Sequence, residues 1–202
     1  MLILGTGTGR CGTTSLARLL ALQPETISTH ELSEPGVSML AVPTEDPAFV
    51  LGAVRDAVAT RPSRFKADCA FYWLGIVDPL VAHYGDQLRV ICLERPREEV
   101  VESFERKAAP FNHWQEHDGS VYRHIVWDRC FPKFPAAHDR REAIGMYWDH
   151  CQVLAASYAQ RHPGHFRRVP MADLNDPVKV DALLRWCGYE MPVFAPVRLN
   201  QA

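Results

Sequence analysis

Apolar runs and amphipathic stretches alternate along the chain, and the points where one gives way to the other carry much of its polar chemistry. Leu2-Ile3-Leu4 breaks at Gly5 into a loop rich in glycine and hydroxyl groups, and from there the spacing Leu16, Leu19, Leu20 is that of a helix. Thr26 to Thr29 is β-favouring and predicts a second strand ending at His30-Glu31. Asp46-Pro47 opens a helix to about Ala59, with Phe49, Val50, Ala53, Val54 and Ala57 on one face. Phe65 to Ala70 predicts a third strand, and Tyr72 to Tyr84 a helix closed by Gly85. Leu88 to Leu93 is the strongest strand pattern, nearly continuous as in a strand buried on both faces of a parallel sheet, and a helix carrying Ser103 follows it. Arg140 to Ala159 predicts a helix with the core stripe Ile144, Tyr147, Trp148, Cys151, Leu154, Ala155 and Tyr158. His165 to Pro170 predicts the last strand, and Asp176-Pro177 starts a helix that runs to Cys187 and stops at Gly188. Strands alternating with helices specify an α/β fold around a parallel sheet.

At 202 residues the prior is one domain, 1–202, with an irregular aromatic-rich insertion at about 107–139. A net charge of −2 gives no case for nucleic acid or an anionic membrane as partner. No apolar run approaches the roughly 20 residues of a membrane span, and a strand starting at residue 2 leaves no room for a leader, so a cytoplasmic protein is expected. Six scattered cysteines without C-x-x-C predict reduced core thiols. Oligomeric state has no signature in the pattern.

Three motifs compete for the first loop. Gly7-Thr8-Gly9-Arg10-Cys11-Gly12 matches the dinucleotide fingerprint, with Glu31 near the place of its ribose-binding acid, but the first glycine comes late and two threonines follow the third. Gly7 to Thr14 fits the Walker pattern except that Thr13 stands where the lysine belongs, which disfavours an ordinary kinase. What remains is a basic residue two positions before a glycine, then Gly-Thr-Thr, where a helix N-terminus accepts an anion without a metal. Arg10-Cys11-Gly12-Thr13-Thr14 resembles the 5′-phosphosulfate loop of the PAPS-dependent sulfotransferases. A second stretch carries the same likeness: Arg95-Pro96 at a strand end, with Ser103 eight residues on and two turns down a helix. Asp173-Leu174, Asp176-Pro177, the terminal helix and Gly188 resemble the family's ending.

The resemblance implies a three-layer P-loop NTPase-like fold, a central parallel sheet flanked by helices. It implies that Arg10, Cys11, Gly12, Thr13, Thr14 and Ser15 bind the phosphosulfate of PAPS, and that Arg95 and Ser103 grip its 3′-phosphate. Glu31 lies as far from Gly12 as the base does in the glutamate branches, His30 beside it is the other candidate, and Arg10 holds the place of a catalytic Lys or Arg. A small-molecule, carbohydrate or peptide acceptor is implied, and no metal. The family's Arg-Lys-Gly clamp on the nucleotide has no counterpart here.

Plainer readings stand beside these. Arg95 pairs with Glu98 or Glu99, Ser103 faces the core, Glu31 is a solvated loop acid, and the threonines cap the helix. Lys66 and Asp68 are either pocket residues or a surface lysine and a helix cap. Trp114 and Trp127 either wall an acceptor site, with His113 or His117 bonding the acceptor, or pack under a long loop. His113-Trp114-Gln115-Glu116-His117 matches an inverted zinc-peptidase motif, but Pro110 and Asp118-Gly119 leave it about two turns of helix. Cys11 invites a phosphatase, but six residues rather than five separate it from Arg18. A P-loop small-molecule kinase and a non-catalytic nucleotide-binding module remain as alternatives.

Overall fold

The computed structural model describes residues 1–31, 62–107, 114 and 131–195. The helix predicted from Asp46-Pro47 lies outside them, as do His113, Glu116, His117 and Trp127. Strand β1, Leu2–Gly7, is buried along its whole length, as its apolar and glycine-rich composition demands. It pairs in parallel with β3, Phe65–Cys69, on one side and with β4, Leu88–Glu94, on the other. Strands β2, Thr26–His30, and β5, Phe166–Pro170, complete a parallel sheet in the order β2–β3–β1–β4–β5.

Successive strand residues point to opposite faces, so β1 and β4 each feed two cores. Leu2, Leu4, Leu88, Val90 and Cys92 pack on one face against α2 (Val77–Tyr84), α3 (Arg97–Lys107) and α4 (Arg140–Arg161). Ile3, Ile91 and Leu93 pack on the other against α1 (Thr13–Ala21) and α5 (Pro177–Trp186). The result is the expected three-layer α/β architecture. Leu4 and Ile91 are fully enclosed, so truncating either to alanine costs roughly 2–5 kcal/mol. Asp139 caps α4 by accepting from the Glu142 amide at 2.8 Å, and Asp176 caps α5 by accepting from the Val178 amide at 2.9 Å. Among the described residues no helix is long and apolar enough to cross a membrane.

The helix expected over 72–84 divides in two. Phe71–Ile76 winds as 3-10 turns and only Val77–Tyr84 is α-helical. Phe71, Tyr72, Trp73, Leu74 and Ile76 are all buried. A run with no polar face cannot lie on a surface as an amphipathic helix. The tighter winding instead sets Tyr72 edge-on to both Phe71 and Trp73.

Candidate active site

Helix α1 leaves β1 toward one face of the sheet, whereas the helices that follow β3 and β4 lie on the other. This divergence opens a crevice beyond the carboxyl end of β1, where α/β sheets bind ligands. The loop between β1 and α1 borders it. Gly12 is the N-cap at φ 97°, a left-handed conformation that glycine adopts without strain. It brings no side chain to cap the helix, and the amides of Ser15 and Leu16 bond back to its carbonyl at 2.9 and 3.1 Å. The start of α1 is therefore free to take an anion rather than a capping side chain.

The threonines do not cap. Thr13 Oγ1 and Thr14 Oγ1 each lie 3.1 Å from His30 Nε2 at the end of β2. Cys11 turns its side chain into the core, where burial pushes the thiol up to about 11, against the amides of Gly9 and Thr8 that face the sulfur. It is an inert packing thiol, not a nucleophile.

On the β4 side of the loop, Arg10 Nε donates to Ser103 Oγ at 3.2 Å, joining the loop to α3. Arg95, which follows β4, donates from Nη1 to the Arg10 carbonyl at 2.9 Å and from Nε to Glu99 Oε2 at 2.9 Å. Trp148 Nε1 fixes the Arg95 carbonyl at 3.0 Å. Both plainer readings hold, since Arg95 pairs with Glu99 and Ser103 is buried. Burial first, and then the charge of Arg95, lower the pKa of Arg10.

On the β2–β3 side the groups are acidic. Asp68 is wholly buried and accepts from Thr29 Oγ1 and from Trp73 Nε1, each at 2.7 Å. It is thus neither a helix cap nor a solvated acid. Glu31 follows β2, its amide bonded to the Cys69 carbonyl at 3.2 Å. Burial first and the charge of Asp68 second push its carboxyl up to about 7, against the pull of Arg10. His30 is shifted down by burial, which favours the neutral ring. Lys66 is removed from the crevice: it sits beside Leu2 and Ile27 at the opposite end of the strands. Trp114 is fully buried against Phe104, Phe131 and Tyr147, so it packs the core rather than walling a site.

Among the described residues, three that are not glycine take a left-handed backbone: Arg10 at φ 54°, Glu25 at 53° and Glu31 at 55°. Such a conformation costs about 1–2 kcal/mol for a side chain with a Cβ. Two of the three are the candidate catalytic cation and the candidate base. Strand and helix periodicity gives no sign of these twists, nor of the Thr29–Asp68–Trp73 link. Its one trace in the sequence is a carboxylate inside an otherwise buried strand.

No family model matches the chain, and no curated protein matches it in sequence. Among solved structures, the crystal structure of a sulfotransferase from Alicyclobacillus acidocaldarius matches with a TM-score of 0.58 at 14% identity, over 99% of this chain and 85% of that one. The fold is sulfotransferase-like. Arg10, Gly12, Thr13, Thr14, Glu31, Arg95 and Ser103 thus gather around one end of a sheet shared with that enzyme, although they come from β1, β2, β4 and the segments that follow them.

Proposed function

We propose that the protein is a sulfotransferase that moves a sulfuryl group from PAPS to a hydroxyl or amine of a small-molecule, carbohydrate or peptide acceptor and releases PAP. The observation that carries this reading is the cation pair Arg10 and Arg95, gathered with the buried Ser103 hydroxyl beside the start of α1. The charge of Arg95 acts on Arg10, and an anion rich in oxygens relieves that repulsion. Arg95 with Ser103 on the β4 side, and Arg10 with the uncapped helix start in the loop, suit a nucleotide with an anionic group at each end. Bound PAPS supplies an activated sulfuryl group on a phosphate leaving group.

In this reading Arg95 and Ser103 hold the 3′-phosphate. The amides of Cys11 and Gly12, with the amides and hydroxyls of Thr13 and Thr14 and the hydroxyl of Ser15, surround the phosphosulfate. Arg10 offsets the charge that builds on the oxygen left to PAP. Glu31 accepts the acceptor's proton as the new bond to sulfur forms and the bond from sulfur to PAP breaks. Its carboxyl, pushed up to about 7, suits a base working near neutral pH and contributes on the order of 10²–10⁴ in rate. A thermal-shift panel of PAP, PAPS, ATP with Mg²⁺, and NAD tests the reading. PAP and PAPS are expected to stabilise the protein, by about 2.7 kcal/mol at 100 times the dissociation constant. Stabilisation by ATP with Mg²⁺ alone would replace this reading with the kinase one.

A further inference from the structure

His30 and Glu31 are adjacent, yet they belong to different parts of the site. Ser28 and His30, two residues apart on β2, both face α1: Ser28 Oγ donates to the Ala17 carbonyl at 2.8 Å, and His30 Nε2 meets Thr13 Oγ1 and Thr14 Oγ1. Thr29 points the other way, to Asp68. The His30 ring nitrogen nearest the site is thus committed to the two loop hydroxyls.

A neutral imidazole nitrogen either donates one proton or accepts one. If Nε2 accepted, it would take the proton of one threonine and leave that hydroxyl nothing to offer an anion. If Nε2 carries the proton, it is shared between the two hydroxyl oxygens, and both threonine protons stay free to turn toward the loop's ligand. We propose that His30 is a positioning residue on the phosphosulfate side of the site, whose Nε2–H holds the hydroxyls of Thr13 and Thr14 so that both donate to the bound 5′-anion. This rests on the sulfotransferase reading above and deepens it: the ring serves the leaving group through the threonines, and proton removal from the acceptor falls to Glu31.

The test compares PAP with adenosine 3′-phosphate, which lacks only the 5′-phosphate, by calorimetric titration of the full chain. His30→Leu is expected to weaken PAP about tenfold and leave adenosine 3′-phosphate unchanged, as for a lost hydrogen-bond relay to a charged group. His30→Gln, whose amide N–H reaches the place of Nε2, should recover most of the loss. Thr14→Val should cost less in the His30→Leu background than alone, because the two act as one unit. Equal weakening of both ligands, no recovery with glutamine, or a loss of kcat at unchanged PAP affinity would each overturn the inference. If PAP binds wild type and both His30 variants alike, the inference falls and the sulfotransferase reading stands. If PAP and PAPS fail to bind wild type, both fall together.

Discussion

The two halves of the sheet meet at β1 and carry opposite charge to the same crevice. On the β4 side, Arg10 and Arg95 gather with Ser103, and Glu99, which pairs with Arg95, is half exposed. Such a pair is worth little, about 0–1 kcal/mol, and a phosphate displaces it readily. On the β2–β3 side, Asp68 is sealed in by Thr29 and Trp73, and Glu31 is partly buried near it. On the proposed reading the separation has a chemical use. A base placed among the arginines would be held ionised at low pH and would be weak, whereas an arginine placed among the carboxylates would be paired before a ligand arrived. On the proposed reading this division leaves the cations to an anion, while burial first and Asp68 second lift the Glu31 carboxyl to about 7 against the pull of Arg10.

The largest expected effect lies on the acidic side. Glu31→Gln keeps the shape and removes the proton acceptor, so with PAPS and an acceptor that supports turnover, kcat should fall by about 10²–10⁴. A variant with near-normal kcat would remove Glu31 from the chemistry.

A smaller effect sharpens the same contrast. Because the Asp68 charge raises the Glu31 carboxyl, Asp68→Asn should lower it, and the acid limb of the pH–rate profile should move to lower pH. In wild type that limb is expected to fall about tenfold per pH unit below about 7, as the base becomes protonated. The substitution also leaves Thr29 or Trp73 poorly bonded, so some loss of stability, about 1–3 kcal/mol, accompanies the shift. An unmoved limb would mean that Asp68 only packs.

The smallest effect is thermodynamic. Between the ordinary value of 4.5 and about 7 the folded protein holds a proton on Glu31 that the unfolded chain releases, so this residue makes stability fall as pH rises through that window. Glu31→Gln should therefore raise the melting temperature at pH 8 by a few degrees and leave it nearly unchanged at pH 5. The reverse pattern would place Glu31 in a stabilising ion pair instead of a costly burial.

The order of the described elements was legible because β1, β3 and β4 are apolar runs and the helices carry clear stripes, as in α4 with Ile144, Tyr147, Cys151, Ala155 and Tyr158. The half-buried edge strand β2 was readable from its β-favouring residues, although no position in it is fully buried. The 3-10 turns at Phe71–Ile76 were not, since a run of aromatics fits a helical period as well as any other. At the site, the loop, Arg95, Ser103 and Glu31 could be singled out by spacing and by likeness to a family. Their contacts could not. Arg10 meets Ser103 across 93 positions, and Thr14 meets His30 across 16, through a left-handed turn at Arg10 that its residue type does not announce. Of the two readings left open for Lys66, the register excludes the pocket one, since it sits near the start of β3, away from the carboxyl ends that border the crevice.

The division of charge across β1 is tested most directly without an acceptor, by titrating PAP and adenosine 5′-phosphosulfate, which lacks the 3′-phosphate, into wild type, Arg95→Ala and Glu31→Gln. The expected result is that Arg95→Ala weakens PAP by about tenfold or more, as for a lost bidentate phosphate contact, while adenosine 5′-phosphosulfate binds as before. Glu31→Gln should leave both affinities within about twofold of wild type, a change of under 0.5 kcal/mol. Equal weakening of the two ligands by Arg95→Ala, or a Glu31→Gln variant that loses PAP, would contradict the assignment of cations to the donor and carboxylate to the acceptor.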